Sequence, residues 1–134
     1  MKGRKPKETL PGSSPVTSLP TPPTWLSRDA KGEWRRVAPI LINERRTLTV
    51  ADLAMLESYC TAVGLVAEAS RIIAKEGLIY MSATGPKKHP AVAIRSDGMT
   101  QARQIASELG LTPASRSRPA VRNDDDQDAP DLDL

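Results

Sequence analysis

The chain has 134 residues, 39% hydrophobic and 26% charged, with two Trp, two Tyr and no Phe. That length suits one domain with tails. A single cysteine, Cys60, excludes an intramolecular disulfide and a multi-cysteine zinc site. No apolar run reads as approaching the roughly 18–20 residues of a membrane span, and no secretory signal follows the first lysines, so the composition and the net charge of +3 suggest a soluble intracellular protein.

Residues 1–24 read as a basic, proline-rich flexible arm. Lys2, Arg4, Lys5 and Lys7 open it, and six of the twelve prolines fall within the first 23 residues. Such a stretch has too little apolar surface to offset its ordering entropy. Basic arms of this kind follow nucleic-acid backbones. Residues 25–113 read as the folded core. A core of that size buries only about 60–65% of its unfolded surface, and oligomerisation is one remedy.

Ser27 is the expected N-cap of a first helix, with Asp29 at its positive end. Trp34, Val37, Ala38 and Leu41 then share one face. Pro39 predicts a kink or a break followed by a short turn. Thr49-Val50-Ala51-Asp52 resembles a capping box with Asp in the usual place of Glu. Leu53, Leu56, Cys60, Val63 and Ala67 follow at helical spacing, and Leu65, Ala69, Ile72 and Ile73 widen the apolar surface. Gly77 stops this second helix. About 27 residues would span roughly 40 Å, more than one short neighbour covers. Cys60 reads as a packing residue.

Leu78-Ile79-Tyr80-Met81 and Gly85-Pro86 predict a small hairpin or a loop carrying Lys87, Lys88 and His89. Pro90 suits the first position of a third helix. Asp97-Gly98 is a candidate weak point in it, and Gly110 ends it. Residues 114–134 read as a flexible tail, first Arg-containing and then acidic. Six Asp lie between positions 124 and 133; without residues 124–134 the chain keeps 19 basic and 10 acidic side chains, a net charge of +9. A basic body suits a polyanion partner, and the acidic tail competes for the same surface or repels that partner. The fold class is all-α, with about three helices.

Catalytic signatures are missing from the sequence. There is no phosphate-binding P-loop, because Gly85-Pro86-Lys87-Lys88 has the wrong spacing. There is no HExxH, and His89 is the only histidine. No catalytic residue, metal site or cofactor is expected. Clustered cations fit nucleic-acid binding better: Lys2 to Lys7, Arg35 with Arg36, Arg45 with Arg46, and Lys87 with Lys88. The scarcity of aromatics argues against base stacking and for double-stranded DNA held by its backbone. The Arg45-Arg46 turn suggests a helix-turn-helix, but it lacks the usual glycine and the next helix is long. Trp34, Leu41, Leu53, Leu56, Val63 and Ile72 are the candidate core and subunit-contact residues.

Five stretches, in this order, resemble the small subunit of bacteriophage terminases. They are Gly3-Arg4-Lys5-Pro6 with Pro22-Pro23-Thr24-Trp25-Leu26; Ala30 with Trp34; Leu48-Thr49 with Asp52, Leu56 and Tyr59; Gly77-Leu78 with His89-Pro90-Ala91; and Leu109-Gly110-Leu111-Thr112-Pro113 with Ser115-Arg116. The chain departs from the family pattern twice. His89-Pro90 stands for the usual Asn-Pro, and Arg46-Thr47 stands where Gly often precedes the Leu-Thr pair. The resemblance implies a non-enzymatic DNA-packaging factor of the host bacterial cytoplasm, assembled as a homo-oligomeric ring. Such a factor binds double-stranded viral DNA at the packaging site, recruits the large terminase subunit and modulates its ATPase and nuclease. It has no membrane partner. The alternative is a small dimeric helical DNA-binding transcriptional regulator.

Overall fold

A computed structural model describes residues 14–116. Helix α1 spans Arg28–Pro39, α2 spans Leu53–Glu76 and α3 spans Pro90–Leu109. Strands β1 (Ile79–Ser82) and β2 (Gly85–Lys88) join α2 to α3, and a four-residue α4 (Pro113–Arg116) follows. The choice between loop and hairpin resolves as an antiparallel hairpin with Ile79 opposite Lys88 and Ser82 opposite Gly85.

Local chemistry sets the boundaries. The Ser27 hydroxyl accepts the Ala30 N–H at 3.3 Å, as its N-cap role requires. Pro39 is the last residue of α1, and the chain then widens into a π-helical turn at Ile40–Glu44, closed by Arg45 N–H donating to the Ile40 carbonyl at 2.8 Å. A proline ring crowds the turn before it and supplies no N–H, so the regular helix stops there. The Asp52 carboxylate accepts both the Thr49 N–H (3.0 Å) and the Thr49 hydroxyl (2.8 Å). A 3-10 turn at Val50–Asp52 intervenes, so α2 has 24 residues rather than the expected 27. At 1.5 Å per residue that is about 36 Å. Gly110 closes α3 at φ 78°, with Leu111 N–H reaching back to the Ala106 carbonyl.

Helix α2 is the central element, with α1 and α3 packed antiparallel along it. Two glycines mark the crossings. A Cβ on Gly64 would lie 2.7 Å from Ser27 Oγ and 3.1 Å from Ala30 Cβ of α1. One on Gly98 of α3 would lie 2.9 Å from Val66 Cγ2 and 3.3 Å from the Ala62 carbonyl. The residue expected to weaken α3 is therefore where α3 meets α2, because only glycine permits that approach.

The core joins Trp34, Val37, Ala38 and Leu41 to Leu56, Tyr59 and Cys60 of α2 and Leu109 of α3. Of the candidate core residues, Trp34, Leu41 and Leu56 are buried, Leu53 and Val63 pack half-buried against the cluster, and Ile72 is half-buried further along α2. Cys60 is fully buried, and burial pushes its thiol pKa up to about 12.

The membrane-span reading needs correction. The helical run Val50–Glu76 is long and apolar enough by length and composition to cross a bilayer, with a mean hydropathy of 1.4 in its most apolar window. Its few charges are spread out, which hides the run from a search for an unbroken apolar stretch. In this fold the run is the central helix, although only 28% of that window is buried within the chain.

Part of the stretch read as an arm packs on the body. From Ser14 the chain is a strap along the body: Val16 N–H donates to the Leu48 carbonyl and Val50 N–H to the Ser14 carbonyl, both at 2.9 Å. Val16 packs on the core, and the buried Trp34 indole finds its acceptor in the Pro20 carbonyl at 2.9 Å. At the other end Ser115 is buried and exchanges hydrogen bonds with Thr112, so the body runs past residue 113.

Candidate nucleic-acid interface

The expected basic groups do not converge. Arg45 and Arg46 follow the π turn at the start of α2, whereas Lys87 and Lys88 sit on β2 beyond its end. The length of α2, about 36 Å, lies between them. Arg35 and Arg36 are exposed near the end of α1. Lys2, Arg4, Lys5 and Lys7 lie outside the described residues.

The arginines differ in their commitments. Arg36 forms a two-point ion pair with Glu33, which holds its guanidinium above the usual pKa. The Glu33 carboxylate is nearly buried and also accepts the Tyr59 hydroxyl at 3.1 Å. Burial first, and the Glu33 charge second, push the Tyr59 phenol up to about 12. Arg45 donates from Nη2 to the Arg116 carbonyl at 3.1 Å, tying the π turn to α4. Its Nε and the Thr47 hydroxyl are buried without hydrogen-bond partners. Both residues line a cleft of about 270 Å³ where the π turn and the segment before α2 meet the end of α3 and α4. Arg46 is exposed and has a φ of 51°, the only positive value outside glycine among the described residues. The backbone there takes the left-handed shape that Gly adopts at little cost. The antiparallel return of α2 along α1 does not match the angled pair of a helix-turn-helix.

The fold assembles a basic stripe that a reading by adjacent pairs missed. Arg28, Lys31 and Arg35 fall at i, i+3 and i+7 on α1, along the flank of the buried Ala30, Trp34, Val37 and Ala38, with Arg28 and Arg35 exposed and Lys31 half-buried. Arg35 forms no ion pair among the described residues, and Arg28 stands beside Asp29, which binds Arg71. The stripe becomes legible once Ser27 fixes the helix start. A second basic pair, Arg95 and Arg103, lies on α3.

His89 caps α3. Its Nδ1 accepts the Ala91 N–H at 3.0 Å, the role an Asn side chain plays at such a position. That bond leaves Nε2 facing the Glu76 carboxylate at 3.4 Å. The departure from Asn-Pro thus keeps the cap. Among the described residues no group of three or more His, Cys, Asp or Glu could hold a metal ion.

No curated protein and no solved structure matches the chain. The family described as "Phage terminase, small subunit" matches residues 30–126, a span that takes in most of α1, all of α2, the hairpin, α3 and α4. That match covers well over half of the sequence, and the chain belongs to the phage terminase small subunit family.

Proposed function

We propose that this chain binds double-stranded viral DNA at the packaging site, recruits the large terminase subunit and modulates its ATPase and nuclease. It does so as a ring of identical subunits in the host bacterial cytoplasm, with no membrane partner and no cofactor. Family membership supplies the role in phage DNA packaging and the character of a generally non-catalytic subunit. The observation that supports DNA contact is the flank of α1, where Arg28, Lys31 and Arg35 align beside the face that packs into the core. Phosphate contacts from each copy add through the ring, so weak individual contacts sum to useful avidity. Lys2, Arg4, Lys5 and Lys7 extend the same surface chemistry along the N-terminal arm. Arg36, Arg46, Lys87 and Lys88 supply further cations, while Arg45 serves first as a tie to α4.

The test is DNA affinity measured across a salt series. Each phosphate-contacting cation that is removed should lower the salt slope by about 1. Replacing Arg28, Lys31 and Arg35 by Ala should flatten the slope, as should deleting residues 1–8. An unchanged slope in both variants would remove DNA contact from these surfaces. Deleting residues 117–134, which spares the buried Ser115, should reduce stimulation of the large subunit while the oligomer persists.

A further inference from the structure

The hairpin is the least supported element of the fold. Its register pairs Tyr80 with Lys87, and His89 N–H donates to the Leu78 carbonyl at 2.7 Å. By strand alternation, Ile79 and Met81 then turn their backbone N–H and C=O groups outward along β1. Their side chains share one face and are 63% and 76% exposed, while Tyr80 on the other face is 41% exposed. A lone two-stranded hairpin is marginal in water, and an apolar one with a free edge calls for a second surface. Lys87 and Lys88 are the charged side chains lining its apolar groove.

A second unpartnered apolar surface lies elsewhere. Trp25, 64% exposed, and Leu65 of α2, 40% exposed, border a cleft of about 170 Å³ between α2 and the approach to α1. A space of that size takes one ring or long aliphatic side chain. Glu68 is the only charged residue lining it. The two linings carry opposite charges and are built from different residues; Arg71, which neighbours Glu68, is itself paired with Asp29.

We propose that the hairpin of one copy packs onto the Trp25–Leu65 cleft of the next, with Met81 inserted, Ile79 against the cleft's rim and Lys88, on the same face as Ile79, facing Glu68. Two different patches on one chain make a head-to-tail contact, which closes into a ring when the rotation permits. A dimer joined hairpin to hairpin through the Ile79 and Met81 face would oppose the two Lys88 side chains and leave both clefts empty. The proposal rests on the ring assembly above and names the surfaces that build it.

Native mass measurements on the full chain at moderate salt test the interface. Met81→Asp and Leu65→Glu should each abolish the large assembly. Mixed together, they should form a one-to-one heterodimer and nothing larger, because each retains one intact patch. That heterodimer also shows that both variants fold. Lys88→Glu should dissociate the ring, and adding Glu68→Lys should restore it. An assembly of wild-type mass for either single variant, or no heterodimer on mixing, would overturn the hairpin-in-cleft contact. A ring that survives these changes would leave the ring assembly and DNA-packaging reading intact.

Discussion

Arg46 holds a backbone conformation that glycine enters at little cost, and its charge makes it a candidate DNA contact. Replacing it by Gly or by Ala removes the same side-chain interactions, so the two variants differ mainly in backbone cost. The Gly variant should be the more stable by about 1 kcal/mol in urea titration. At His89 the Nδ1 cap predicts that Asn is tolerated, whereas Ala costs about 1 kcal/mol. Gly98→Ala should destabilise by about 1–3 kcal/mol despite the better helix propensity of Ala, because the Val66 side chain and the Ala62 carbonyl occupy the space. Tyr59 gives a pH signature. Its folded pKa is raised from 10 to about 12, so the folded state holds the phenol proton more tightly than the unfolded state. Its contribution is complete below pH 10 and is lost as pH rises toward 12. Tyr59→Phe should remove that part of the alkaline loss in denaturant titrations across this range.

At the scale of elements, what was legible was local. Ser27, Thr49 with Asp52, Gly77, Pro90 and Gly110 mark ends that the structure keeps to within a few residues, because a cap is chemistry between near neighbours. The strap from Ser14 was not legible. Its hydrogen bonds go to Leu48 and Val50 and its packing to a core formed by distant residues, none of which leaves a periodic trace. The same holds for the burial of Gly64 and Gly98, set by helices that arrive from elsewhere. The strap can be separated from the basic arm by truncation. Deleting residues 1–8 should leave thermal stability unchanged. Deleting 1–20 removes Val16 and the Trp34 acceptor and should cost about 2 kcal/mol.

Across the whole molecule the basic residues fall into separate groups, and this is why pairs adjacent in sequence were a poor guide to a surface. Arg45 and Arg46 stand at one end of α2 and Lys87 and Lys88 at the other, while Arg28, Lys31 and Arg35 converge only through the turn of α1. The class of protein was legible through the order of short motifs; the cation face needed a helix start and a known buried side. The core supplies a further consequence. The chain has one thiol, sealed at Cys60 and held protonated by burial. Maleimide should leave the native protein unmodified and react only as it unfolds. A cysteine introduced at any exposed position then becomes the sole reactive sulfur of the chain, so a fluorophore or spin label can be placed there without removing the native cysteine.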